Sequence, residues 1–259
     1  MQFVIQSSAL PDFHNEPLVR AAEHYKIPVL NVGVIPFTEN VTGLELVDPK
    51  IPTVFYGSTR LLELIHKNHP EYVPGVWFDP ITLDSSHIAN EHQLNKAGQI
   101  QEIGKLHDEL VESEDLTGDR PFFIRPVSSL KSFPGFPTTL SKFKEWWKEN
   151  PRDIPPETLV RISPHKDIWA EWRFFIIDGE VVTGSLYRQV YLKSRAASED
   201  MLLIAQAIAR KGLPLQNCVM DLCLTPDGIH IVEFNAVNAS GLYDCDPFKI
   251  MEAFIDITK

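Results

Sequence analysis

The chain has 259 residues, of which 44% are hydrophobic, 23% charged and 10% aromatic, a globular composition that excludes a disordered or collagen-like polymer. Asp and Glu outnumber Lys and Arg by 35 to 24, and the formal charge of −11 repels phosphate backbones, which argues against bulk nucleic-acid binding. Three cysteines without Cys-x-x-Cys spacing argue against a disulfide framework and a structural zinc site; with no secretory signal and no run of about 18 apolar residues, the expectation is a soluble cytoplasmic protein.

The N-terminal part alternates strand and helix signals. FVIQS, IPVLNVGVI and IPTVFYGS are short runs of apolar and β-branched residues and read as strands. NEPLVRAAEHY and TRLLELIHKN carry apolar residues at helical spacing, with Leu18, Val19 and Ala22 in one and Leu61, Leu62, Leu64 and Ile65 in the other. This alternation predicts a small parallel α/β sheet. QLNKAGQIQEIGKLHDELVES reads as helical, and TGDR breaks it. From Arg120 the texture changes. PFFIRPV is a strand, SSLKSFPGF a loop, TLSKFKEWWKEN an amphipathic helix with Trp146 and Trp147 as core residues, and ETLVRIS a strand. Two hairpins follow, around Asp178-Gly179 and Asp227-Gly228. Between them lies a helix with Ser198 as its N-cap and Gly212 beyond its end, and DPFKIMEAFI forms a last helix. The second part is thus α+β, with the boundary placed between residues 118 and 119.

The second hairpin carries the most chemistry. Side chains alternate along a strand, so Met220, Leu222 and Leu224 share one face with Val232 and Phe234. Asp221, Glu233 and Asn235 gather on the other. Two carboxylates about 5 Å apart at an effective dielectric near 20 repel by about 3 kcal/mol. A shared proton, a cationic side chain or a metal must offset this, unless the residues are simply solvated. Two carboxylates and one amide suit a hard cation such as Mg²⁺, whose other positions are commonly filled by water and nucleotide phosphates. In the first hairpin a two-residue turn puts Trp172, Phe174 and Ile176 on a face with Val181, Thr183, Ser185 and Tyr187. Glu171, Arg173, Leu186 and Arg188 take the other face. Glu171 and Arg173 form a surface ion pair on one reading; on the other, Arg173 and Arg188 surround an anion.

The order IRP, a Gly loop with Lys, E-x-R, Y-R, a distant D-L and E-F-N resembles the ATP-grasp superfamily over about Arg120 to Asp246. The resemblance implies an N-terminal parallel α/β (pre-ATP-grasp) domain followed by an ATP-grasp α+β domain that binds ATP between two lobes. It implies an ATP-dependent carboxylate–amine ligase acting through an acyl phosphate, with an ATP-grasp phosphotransferase or a non-catalytic nucleotide-binding protein as alternatives. Asp221, Glu233 and Asn235 would hold Mg²⁺ against ATP. Arg188 and Arg173 would serve the transferring phosphoryl group. Arg125 stands where the family usually has Lys, a departure shared with a phage and bacterial clade that the chain resembles most closely. Lys131 offers a second phosphate contact. Val160, Arg161 and Ile162, in the LVRI expected to link the lobes, would approach adenine, and Glu171 joins the nucleotide set.

Other candidates are weaker. Gly57-Ser58-Thr59 opens a helix, so Ser58 is either an N-cap or a contact for a substrate carboxylate. Tyr243 and Asp244, in SGLYDCD, are substrate candidates or residues that begin the last helix. His66 and His69 have no neighbouring acid or cysteine in the sequence and read as capping or solvated residues. The expected partners are small-molecule or peptide carboxylates and amines, with a homodimer compatible and no membrane contact.

Overall fold

Strands whose apolar residues point to both sides need cover on both sides, and the first strands have that character. The structure is a computed structural model that describes residues 1–7, 16–79, 82–84, 90–112, 120–128, 132–149, 153–189 and 192–259. It opens with β1 (Gln2–Gln6), α1 (Glu16–His24), β2 (Val29–Val34), β3 (Val41–Thr42), β4 (Thr53–Tyr56) and α2 (Thr59–Asn68). The sheet order is β3-β2-β1-β4, with β1 parallel to both β2 and β4. Phe3, Ile5 and Val54 cluster with Leu18, Ala21 and Ala22 of α1. Val4, Val32 and Phe55 cluster with Leu61, Leu62 and Ile65 of α2. The predicted parallel α/β unit is therefore present.

A smaller sheet follows. Its elements are β5 (Gln99–Glu102), α3 (Ile103–Glu112), β6 (Phe122–Pro126), β7 (Phe136–Thr138), α4 (Leu140–Glu149) and β8 (Leu159–Pro164), in the strand order β5-β8-β6-β7. The stretch expected to be helical from Gln93 instead turns up to Gly98, forms β5, and becomes helical at Ile103. Pairing of β5 with β8 overrides the local helix propensity. Gly98 fits the approach, since a Cβ there would meet the Ile162 carbonyl oxygen at 2.8 Å. β5 and α3 thus belong with the small sheet although both precede residue 118. Ile103, Ile124, Phe143 and Val160 fill its core, with Trp146 and Trp147 packed against them as expected.

The large sheet comprises β9 (Ala170–Ile177), β10 (Glu180–Gln189), β11 (Arg195–Ala196), β12 (Cys218–Thr225) and β13 (Gly228–Ala236), with α5 (Glu199–Ala209) and α6 (Pro247–Ile257). Its order is β11-β10-β9-β12-β13, antiparallel throughout. Ser198 caps α5 by accepting from the Met201 amide, and Asp246 caps α6 by accepting from Phe248 and Lys249. Phe174, Ile176, Met220 and Leu222 share a core with the N-terminal sheet and α5, and Phe175, Ile177 and Val219 share another with α1 and α6. Asn238, fully buried, locks the two sheets together: its amide donates to the Phe55 and Gly75 carbonyls at 2.6 and 3.1 Å and accepts from the Trp77 amide at 2.8 Å. Among the described residues no helix is long and apolar enough to cross a membrane.

Candidate active site

The polar face of the large sheet starts where its apolar residues end. Asp221 pairs with Glu233 across β12 and β13, as the alternation predicted. The ladder closes at Thr225 and Gly228, and counting regularly from there would set Asp221 against Val232. A bulge at Val232 inserts one residue, which brings Glu233 opposite Asp221. The core position expected for Val232 belongs to Ile231, which is fully buried opposite Leu222.

The first hairpin is also irregular. Register shifts at Val182 and Tyr187 turn Thr183 and Ser185 to the face of Phe175 and Arg173, and Gly184 and Leu186 to that of Phe174 and Trp172. This reverses the faces expected for Thr183, Ser185 and Leu186, because regular alternation takes no account of a bulge. At the second shift two residues oppose one, so Tyr187 and Arg188 both reach Glu171. The Tyr187 hydroxyl donates to Glu171 Oε2 at 2.7 Å, and Arg188 Nη1 meets Oε1 at 2.5 Å. Burial, then the charges of Asp221 and Glu171, push the Tyr187 phenol up, so it stays protonated and donates.

Three arginine–carboxylate pairs result. Arg173 grips Asp221 through two bonds of 2.9 and 2.7 Å, with side chains 12% and 2% exposed. Burial would lower the Arg173 pKa, but the hydrogen bonds and charge of Asp221 outweigh it and hold the guanidinium charged. Arg125, from the small sheet, donates to Glu233 Oε2 at 3.1 Å and to the Val232 carbonyl at 3.3 Å. Arg188 pairs with buried Glu171 but is itself 70% exposed. Asn235 donates through Nδ2 to Glu233 at 3.1 Å and Asp221 at 3.4 Å, so the three predicted oxygen-bearing side chains converge.

Two adjoining clefts of about 470 and 280 Å³ share Phe123, Arg125, Ile168, Arg188 and Val232 as walls. The larger runs under the segment Pro164–Trp169, which links β8 to β9, and the smaller is floored by Glu171, Tyr187 and Glu233. An apolar slot thus opens onto a charged one between the two sheets.

Residues 59–254 match the sequence family described as an ATP-grasp domain, family 3 of its clade. The chain belongs to this ATP-grasp family. Its fold is similar to that of D-cycloserine synthetase DcsG, at 17% identity and a TM-score of 0.64 over 100% of both chains. It is similar to D-alanyl-alanine synthetase A from Vibrio cholerae O1 biovar eltor str. N16961, at 11% identity and 0.58 over 99% of this chain and 98% of the other. A third neighbour is the ATP-grasp ligase PsnB complexed with minimal precursor, Mg and ADP, at 13% identity and 0.51 over 99% and 97%. No curated protein matches the sequence.

Within this ATP-grasp fold the other predicted residues fall in different places. Lys131 lies outside the described residues. LVRI is an interior strand, β8, and not the interlobe link: Val160 and Ile162 pack into the small core, and none of Val160, Arg161 and Ile162 is among the described lining of either cleft. The apolar pattern of LVRI marks a buried strand, and the link is the polar PHKDIW that follows. Ser58 is the α2 N-cap; its hydroxyl accepts from the Leu61 amide at 3.2 Å and donates to Gln6 at 2.7 Å, so both functions are engaged. Tyr243, with φ 50°, stacks on Tyr187 at 4.6 Å, and the Arg173 guanidinium lies 5.1 Å from its ring centre. Asp244 is exposed, and its amide donates to Ser185 at 3.2 Å. His69 pairs with Glu71 at 3.4 Å.

The sequence reading missed Tyr187 and Lys166. Regular alternation assigns Tyr187 to the face away from Arg188, and only the bulge corrects this. Lys166 sits in a loop without periodicity. Its Nζ donates to the Leu94 carbonyl and to Asn95 Oδ1, and burial pushes its pKa down.

Proposed function

We propose that this chain is an ATP-dependent carboxylate–amine ligase that works through an acyl phosphate. One observation carries the reading: Asp221, Glu233 and Asn235 converge on one face of β12–β13, opposite Arg125 of the other lobe. Two carboxylates and an amide within hydrogen-bond reach of one another fit a hard divalent cation, so Asp221, Glu233 and Asn235 would hold Mg²⁺. When bound, Mg²⁺ supplies charge neutralisation and orientation of the phosphates.

The residues divide the remaining tasks. The apolar walls Phe123, Ile168 and Val232 suit a base and exclude water from it. Arg125 suits the phosphates, since its fork reaches across the cleft. The γ-phosphoryl group passes to a carboxylate oxygen of the acid substrate, breaking its bond to ADP. The amine then attacks the acyl carbon, a C–N bond forms, and phosphate leaves. Arg188, exposed beside Glu171, stabilises negative charge at the transferring group, with Arg173 behind it. The neighbours named for ligases and synthetases support this chemistry, and a small molecule or a peptide would serve as substrate.

Calorimetric titration of ATP with Mg²⁺ tests the site. The expected outcome is binding by the wild type and its loss in Asp221→Asn and Glu233→Gln; unchanged binding in both variants overturns the site. A screen of amino acids and peptides for stimulated release of free phosphate tests the ligase step. Phosphate retained on the product identifies a phosphotransferase instead.

A further inference from the structure

Arg161 and Arg125 are direct partners across β8 and β6, so two arginines project from one face of the small sheet. Like charges so placed repel, and burial followed by the Arg125 charge lowers the Arg161 pKa, while Asp84 raises it. Both side chains reach toward the same edge of the large sheet. Arg125 grips β13 directly, at Val232 and Glu233. Arg161 donates through Nη1 to the carbonyls of Asn95, Lys96 and Gly98 at 3.1, 3.4 and 3.4 Å. That turn is docked on β13: the Leu94 amide donates to the Ile231 carbonyl, and the Ile231 amide to the His92 carbonyl, each at 2.8 Å. The two grips therefore sit on either side of the bulge at Val232.

They differ in what a nucleotide does to them. On the proposed function, Arg125 turns to the phosphates and Glu233 to the metal, so their mutual bond is given up on binding. The Arg161 carbonyls face no ligand, because neither cleft counts Arg161 among its described walls. We infer that Arg161 is a positioning residue for the nucleotide site: through the Asn95–Gly98 turn it holds the small lobe in register with β13 when Arg125 lets go. This rests on the nucleotide reading of the cleft. Guanidinium suits the task, since its fixed fork spans several carbonyls where an ammonium is a compact point charge.

The test uses the full chain with Arg161→Lys and Arg161→Met. Spin labels on Glu145→Cys of α4 and Glu252→Cys of α6, both exposed positions, report the distance between lobes. The three native cysteines are buried, which keeps labelling selective. Without nucleotide, the expected distance distribution broadens in Arg161→Lys and more in Arg161→Met. The Kd for ATP is expected to rise on the order of tenfold in Arg161→Lys and further in Arg161→Met, with kcat at saturating ATP changed by less than about threefold. If Arg161→Met does not fold, Arg161→Lys carries the test alone. A wild-type distribution together with wild-type ATP affinity in the folded variants overturns the inference, as does a fall in kcat with Kd unchanged. Wild-type protein that binds no ATP instead refutes the nucleotide reading, and the nucleotide-free distances still report on the lobe contact.

Discussion

Replacing Arg173 with Met removes the guanidinium that holds Asp221. The pair is bidentate, at 2.9 and 2.7 Å, and Asp221 is only 2% exposed. Removing one member of a buried pair leaves an uncompensated charge and costs about 3–5 kcal/mol. For a chain of this size each kcal/mol shifts the melting midpoint by about 2–4 °C, so Arg173→Met is expected to melt about 6–20 °C lower. Thermal unfolding followed by circular dichroism measures this. Two comparisons isolate the cause. Arg20→Met breaks an exposed pair with Glu16 and is expected to leave the midpoint nearly unchanged. Arg173→Met combined with Asp221→Asn removes the stranded charge and is expected to be more stable than Arg173→Met alone. An Arg173→Met midpoint within about 2 °C of wild type, or a double variant no better than the single, refutes the claim that a buried ion pair organises this face.

Other outcomes follow from the same geometry. A Cβ on Gly184 would lie 2.4 Å from Phe174 Cδ1, in the core, so Gly184→Ala is expected to lose about 1–3 kcal/mol by chemical denaturation. Tyr243 has φ 50°, so Tyr243→Gly is expected to be about 1 kcal/mol more stable than Tyr243→Ala in the same measurement, both having lost the stack on Tyr187. Burial pushes the thiols of Cys218, Cys223 and Cys245 up to about 12 from an ordinary 9.0. The native state then keeps protons that the unfolded chain gives up, so this contribution is full below pH 9.0 and lost as pH rises toward 12. Urea midpoints across that range are expected to fall, and Ellman's reagent at about pH 8 is expected to react with these thiols only after denaturation.

The short-range grammar of the chain was readable. Asp-Gly pairs fixed two hairpins, Ser198 and Asp246 fixed helix starts, and β-branched runs fixed the parallel strands. Apolar alternation in β12 and β13 was enough to set Asp221, Glu233 and Asn235 apart from the core. LVRI shows the limit: its residues announce a buried strand, yet nothing local tells whether that strand touches a ligand or the small core. QIQE was unreadable for a related reason, since Gln99–Glu102 is a strand only because β8 offers it an edge.

By itself, the sequence determined which residues alternate, which turn and which cap, because those preferences arise within a few residues. Only the tertiary structure decided the bulges at Val232 and Tyr187, and with them which charges meet. A bulge moves every later side chain to the opposite face, and it sits where strands distant in the chain compete for the same hydrogen bonds. Ile231, for one, has its backbone bound by His92 and Leu94, far back in the chain. Arg125 likewise finds Glu233 only because two sheets, each folded from its own segments, close on a shared edge.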